Sequence, residues 1–354
     1  MRIADKELPI PIIQGGMGVG VSMSGLAGAV AREGGMGVIS SVNIGFRDAS
    51  FERNSREANL RTLRSEILRA KELSGGNGLV AVNIMTAVTN YDETCMCAVS
   101  AGADAIISGA GLPLKLPEFT KGTSTLAAPI VSSGKAAALL CKSYMKKYGV
   151  VPDFLVLEGH KAGGHLGFSP DELENGTYKE NDELLADVLE AVKPYEESEG
   201  RPIPVFVAGG VFTGADMAHF IGLGAAGVQI ATRFIATKEC DAADGFKQAI
   251  VDAKKEDIVI IKSPVGMPAR AIKSPLLERL ADGGTFTAKH CNNCLTACKK
   301  GTLTPYCISR ALVEAVNGNW EDGLFFCGEN ADLVKSVTTV GELMAELVSE
   351  WRGK

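Results

Sequence analysis

Eight short aliphatic runs, each followed by a stretch of helical character, recur through the first two thirds of the chain. They lie at 11–14 (PIIQ), 37–39 (GVI), 79–84 (LVAVNI), 105–108 (AIIS), 129–132 (PIVS), 154–157 (FLVL), 205–208 (VFVA) and 227–230 (GVQI). The runs are short, rich in β-branched residues and do not alternate polar with apolar, so they read as strands buried on both faces. Helix candidates fall between them, at 22–33, 51–73, 136–148, 182–192 and 214–223. Strand and helix in alternation mean parallel pairing. Eight such units within about 230 residues match the size of a (β/α)8 TIM barrel, roughly 250 residues, better than an open sheet with a second domain. The expected fold is therefore α/β: a barrel over residues 1–240 and a C-terminal extension, residues 241–354, packed on its mouth or flank. An acidic stretch at 168–201 is longer than a usual strand-to-helix connection and is expected to carry a surface excursion.

In such barrels chemistry gathers at the carboxyl ends of the strands. Those ends are almost all polar or glycine here: Gln14 to Met17, Ser40, Asn83, Ser108, Ser132, Glu158, Gly209, Gly210 and Gln229. Two glycine-rich turns, at 208–211 (AGGV) and 227–232 (GVQIAT), follow strands seven and eight, where backbone N–H groups and a helix dipole can hold a phosphate, and Thr232 adds a hydroxyl. Glycines that merely permit tight turns give the same pattern. After strand six, EGHKAGGHLG at 158–167 sets two of the chain's four histidines and a carboxylate on a flexible loop. His165, flanked by Gly164, is the candidate catalytic residue, because imidazole exchanges protons near neutral pH. His160 is read as a surface or supporting residue, and His219, inside a helix, as structural.

Composition narrows the partners. A chain of 354 residues that is 46% apolar and 22% charged is neither disordered nor fibrous. The net charge of −6, without a long basic run, gives no electrostatic reason for nucleic acid or an anionic membrane. No apolar run approaches a membrane span, and the opening MRIADKELPIPII has charges where a signal peptide is apolar. A small-molecule substrate, a cytoplasmic setting and a homodimer are the expectations. Nine cysteines are few for a secreted scaffold of this length, and four of them crowd together at Cys291, Cys294, Cys298 and Cys307. Thiolates so close can converge on zinc or an iron–sulfur cluster, with Lys299 and Lys300 favouring the thiolate; free thiols are the alternative.

The motifs PIIQGGM at 11–17, EGHKAGGHLG at 158–167, AGGV at 208–211 and GVQIATRF at 227–234 resemble the nitronate monooxygenase family, which also contains the flavin-dependent enoyl-ACP reductase II enzymes. The resemblance spans roughly residues 9–275. It implies a barrel that binds FMN without a covalent link. Carried over by position, it implies that Gly16, Met17, Asn83, Glu158 and Gly163 line the flavin, that Gly209, Gly210, Gln229, Ile230, Ala231 and Thr232 hold its phosphate, and that His165 is the active-site histidine. Oxidation of alkyl nitronates is the first expectation. An enoyl-thioester reductase drawing on NAD(P)H is the alternative, favoured by Glu158 where the monooxygenases usually have Gln, and by Arg233. A flavin- or metal-binding protein without turnover is a third. Ala231 stands where the family usually has Gly. The segment 262–272 (KSPVGMPARAI), with Met267 and Pro268 as apolar walls, is read as a closing segment or a rigid connection, and residues 43–48 as part of a substrate lid.

Overall fold

The computed structural model describes residues 1–288, 291–296, 298 and 305–353. Eight parallel strands close into a barrel in chain order: β1 (Ile12–Gln14), β2 (Met36–Ser40), β3 (Leu79–Met85), β4 (Ala105–Gly109), β5 (Leu126–Val131), β6 (Leu155–Glu158), β7 (Val205–Ala208) and β8 (Gly227–Ile230), with β8 paired to β1. The helices between them are α1 (Ser24–Arg32), α2 (Ser55–Ser74), α3 (Tyr91–Ser100), α4 (Leu116–Thr120), α5 (Gly134–Tyr148), α6 (Pro170–Asn175), α7 (Asn181–Glu199) and α8 (Gly214–Gly222). The expected runs are all strands, and the one at 129–132 starts three residues earlier, at Leu126. The acidic excursion is α6, an exposed helix closed by a Ser169–Glu172 capping box, followed by α7.

Two cores hold the barrel. Inside it, Ile13, Met36, Val38, Ala81, Ile107, Ala128, Val156 and Phe206 fill the lumen. Phe154 meets Phe206 edge to face at 5.5 Å. A small N-terminal hairpin, Arg2–Ile3 with Lys6–Glu7, adds Ile3 and Leu8 to that cluster and closes the floor. Outside it, the opposite faces of the same strands, among them Ile12, Ile39, Val82, Leu157 and Val207, pack against the helices. Burial on both faces is why the strands lack alternation.

The chain after β8 runs through α9 (Thr232–Ile235), α10 (Asp244–Asp252), strands β9 (Ile258–Lys262) and β10 (Pro268–Ile272), then α11 (Pro275–Ala281), α12 (Ile308–Val316) and α13 (Val340–Arg352). α13 packs on α8 and α1, so closely that a Cβ at Gly214 would lie 2.2 Å from the Leu347 carbonyl oxygen. Asp241 accepts the N–H groups of Met23, Gly25 and Leu26 and so caps α1 from the far end of the barrel sequence. β9 and β10 form an antiparallel hairpin whose second strand pairs with the two-residue strand Gly164–His165. The segment at 262–272 is thus part of a sheet with the histidine loop, which neither sequence reading anticipated. No helix among the described residues is long and apolar enough to cross a membrane.

Candidate active site

A cavity of about 900 Å³ opens at the carboxyl ends of the strands. Its wall includes Gly16 and Met17 after β1, Asn83 on β3, Glu158 on β6, Gly163 and His165 on the following loop, Gly209 and Gly210 after β7, and Gln229, Ile230, Ala231 and Thr232 around the end of β8. The motif residues, dispersed over more than two hundred positions, therefore meet at one place. Gly16 is required there because a Cβ would lie 2.5 Å from that of Asn83.

The double glycine is shaped for an anion. Gly209 and Gly210 have φ of +88° and +87°, which a side chain would strain. Their carbonyls are tied into the protein, Gly209 O by Asn181 Nδ2 at 2.7 Å and Gly210 O by Asn330 Nδ2 at 2.9 Å. No described residue accepts from the N–H of Gly210 or Val211. Thr232 Oγ1 accepts from Gly328 N at 2.8 Å, so its hydroxyl proton remains to be donated. Free N–H groups beside a hydroxyl donor fit a phosphate. Ala231 has φ of −119°, ordinary for any residue, and its Cβ faces Gly15, which explains why no glycine is needed at 231. Lys161 runs its stem over Gly210 and pairs with Glu180 at 3.0 Å.

Glu158 has no hydrogen-bond partner among the described residues, and enclosure by protein pushes its carboxyl up to about 7. Such an orphaned carboxyl beside the phosphate turn fits a cavity whose occupant offers it a partner. His165 donates or accepts at Nε2 to Ser263 Oγ, 2.7 Å away, and meets Phe326 edge-on. Burial draws its pKa down to about 4, so the ring is neutral at working pH. Arg270, on β10, gives hydrogen bonds from one nitrogen to His160 O (2.6 Å) and Ala162 O (2.5 Å), fixing the loop from behind. Gly163 lies against the Cys327 backbone, where a Cβ would come within 2.5 Å.

Several expectations are corrected. His160 is buried and stacked on Tyr178 at 3.7 Å, which rules out the surface reading and leaves the supporting one. His219, read as structural, needs no correction: it is half-exposed and joins α8 to α7 through Asp182. Arg233 lines the cavity and is held by Phe212 O and Glu346 over the Phe212 ring, so its guanidinium also serves the packing of α13. Asn43 is buried and bonded to Ser309, away from the cavity wall, so residues 43–48 form no lid. Cys291, Cys294, Cys298 and Cys307 lie outside the cavity, and among the described residues no three His, Cys, Asp or Glu side chains form a metal-ligating group. Lys299 and Lys300 lie outside the described residues. Ser263, Arg270, Asn181, Gly328 and Asn330 escaped the sequence reading as site residues because their contacts bridge long separations; Ser263 and Arg270 stood in the segment 262–272 and Asn181 in the acidic stretch 168–201, with no role assigned to any of them.

Comparison with known proteins agrees with this geometry. The family model described as nitronate monooxygenase matches residues 3–350. A (3aS,4S,5R,7aS)-5-hydroxy-7a-methyl-1-oxo-octahydro-1H-indene-4-carboxyl-CoA dehydrogenase of Rhodococcus jostii (strain RHA1) is 24% identical over 96% of this chain and 92% of its own length. The protein of the same name from Mycobacterium tuberculosis (strain ATCC 25618 / H37Rv) is 26% identical over 77% of this chain, and the match spans 66% of that relative. Among solved structures, FabK from Thermotoga maritima superposes with a TM-score of 0.71 at 25% identity, covering 98% of this chain and 94% of that one.

Proposed function

Since the chain belongs to the nitronate monooxygenase family, a family of oxidoreductases, we propose that it uses FMN to reduce an enoyl thioester at the expense of NAD(P)H. The observation that carries this reading is the size of the cavity. Its wall takes in the phosphate turn and His165 together with Ser132, Ser133, Lys135, Glu172, Thr177 and Lys179, at the upper end of the roughly 300–1,000 Å³ found for ligand sites. Such a volume suits a flavin with a thioester beside it more than a flavin with a small nitronate. The CoA-thioester chemistry in the names of the two dehydrogenase relatives supports the same class.

In this reading the turn at Gly209–Val211 and Thr232 holds the phosphate, while Asn83, Glu158 and Gly163 lie along the ring system. Bound FMN supplies the hydride-transfer chemistry. The chain's own share is position and proton handling. Glu158, pushed up towards neutrality, is available as a hydrogen-bond donor, and His165 is held neutral in the cavity wall. Oxidation of an alkyl nitronate is the second reading, favoured by the family description and by a neutral His165 that can take a proton from carbon.

Anaerobic mixing separates the two. The expected result is bleaching of the yellow protein by NAD(P)H and recolouring by a 2-enoyl-CoA. Bleaching by an alkyl nitronate, with no response to NAD(P)H, overturns the reductase in favour of the nitronate reading.

A further inference from the structure

We propose that Ser263 is a positioning residue for His165: its hydroxyl donates to Nε2 and so holds the neutral imidazole as the tautomer that offers the cavity an N–H, at Nδ1. The tautomer stands on the hydrogen bonds themselves. The use made of it, a hydrogen bond to the carbonyl oxygen of a thioester, rests on the reductive reading above. His165 belongs to the cavity wall, and its Nε2 lies 2.7 Å from Ser263 Oγ. Nδ1 makes no hydrogen bond to a described residue, yet it is not one of the buried polar atoms left without a partner. It is therefore the ring nitrogen that remains for a ligand.

The direction of the bond follows from what else Ser263 can reach. The residue is 3% exposed and opens the turn of the β9–β10 hairpin, where Gly266 N–H closes on Ser263 O at 3.0 Å and Ser263 N–H bonds Met267 O at 3.1 Å. Serine commonly heads such a turn, its oxygen accepting from the backbone two residues on, and Val265 N stands 3.4 Å from Oγ. That contact occupies a lone pair of the oxygen and leaves the hydroxyl proton without an acceptor. Among the described residues the other partner of Oγ is His165 Nε2. An imidazole protonated at Nε2 would donate into the same oxygen and leave that proton unmatched in a site closed to water, which buried donors seldom tolerate. The hydroxyl therefore donates, Nε2 accepts through its lone pair, and the ring proton sits on Nδ1.

The ring is held in that orientation from three sides. His165 pairs with Ala269 on β10, Leu166 N–H bonds Pro268 O at 2.9 Å, and Phe326 meets the imidazole edge-on with centroids 5.3 Å apart. Burial keeps the ring neutral. The N–H of a neutral imidazole is a donor that retains its proton, suited to an oxygen on which negative charge gathers. Placed at the thioester carbonyl oxygen, it stabilises the charge that develops there when the enoyl double bond is reduced, and no bond to hydrogen breaks at the ring. Taking a proton from carbon, as the nitronate reading asks of His165, needs a lone pair on Nδ1 and hence the opposite tautomer.

The test reads the tautomer directly. In the holoprotein labelled with ¹⁵N-histidine, long-range ¹H–¹⁵N spectra report the protonated nitrogen of each of the four histidines, with His165 assigned by its loss in His165→Gln. The expected wild-type signal is a neutral His165 with its proton on Nδ1. Ser263→Ala is expected to lose that preference and Ser263→Thr, which keeps the hydroxyl, to retain it. In rapid mixing, recolouring of the NAD(P)H-reduced protein by saturating 2-enoyl-CoA is expected to slow about 10-fold in Ser263→Ala, the worth of one hydrogen bond, and to recover in Ser263→Thr. A wild-type proton on Nε2, a preference unmoved by Ser263→Ala, or a Ser263→Thr protein that behaves like Ser263→Ala overturns the proposal; the wild-type spectrum decides the tautomer even where a variant fails to fold. A tautomer that moves with Ser263 while recolouring keeps its rate overturns the role at the carbonyl oxygen. Failure of any enoyl-CoA to recolour the wild-type protein overturns the reductase reading instead, and the spectra still decide whether Ser263 sets the tautomer.

Discussion

Replacing Arg270 with Met is expected to destabilise the protein far more than an ordinary surface arginine would. One guanidinium nitrogen serves both His160 O and Ala162 O, inside a shell that leaves the side chain 9% exposed, and Glu329 stands 3.9 Å away. Met matches the stem but offers no donor. Two buried carbonyls then lose their partners at about 1–3 kcal/mol each. Removing the guanidinium also relieves its own desolvation, which is large enough to lower its pKa, so the net loss comes to about 2–4 kcal/mol. Urea unfolding reads this as a fall in midpoint at constant slope. The control is Arg279→Met, whose ion pair with Asp322 is exposed and is expected to contribute less than about 1 kcal/mol. FMN affinity should fall with Arg270→Met and not with the control, because the two carbonyls belong to the loop that carries Gly163 and His165. Equal midpoints for the two variants would refute the reasoning, since burial and donor count are all that distinguish them.

Glu158 predicts a pH signature: with a folded pKa of about 7 against an unfolded value near 4.5, the native protein without FMN holds the extra proton and loses stability as pH rises through that window. Glu158→Gln should remove the slope and gain up to about 3 kcal/mol above pH 7; parallel stability curves for the two proteins would contradict the assignment. Gly163→Ala should weaken FMN binding without unfolding the barrel, because its Cβ would press on the Cys327 carbonyl and push the loop towards the flavin seat; flavin fluorescence titration measures it, and an unchanged Kd counts against Gly163 as a lining residue.

The barrel was legible because its strands are buried on both faces, so each appears as an unbroken aliphatic run such as LVAVNI or VFVA. The phosphate turn was legible for a related reason: backbone at positive φ requires glycine, and Gly209 and Gly210 stand side by side. The C-terminal hairpin was not. β9 is half-exposed, with Ile260 44% exposed, so its apolar run does not mark a core strand. The strand at Gly164–His165 is two residues long and takes its pairing from β10, about a hundred positions away, which leaves no local trace. The cysteine spacing records density along the chain, and among the described residues it assembles no metal-ligating group. Cys294 turns its backbone to Thr89, Cys307 precedes α12, and Cys291 is exposed.

The pairing of His165 with β10 also orders events during synthesis. The histidine leaves the ribosome well before Ser263 and Arg270, whose contacts with its loop span 98 and 108 residues. At about 5–20 residues per second that interval is roughly 5–20 s. A nascent chain stopped short of residue 258 carries all eight barrel strands and both glycines of the phosphate turn, yet its histidine loop has no strand to lie against. The phosphate turn waits as well, since Asn330 and Gly328 hold Gly210 and Thr232, so both halves of the site are completed only by the last third of the chain.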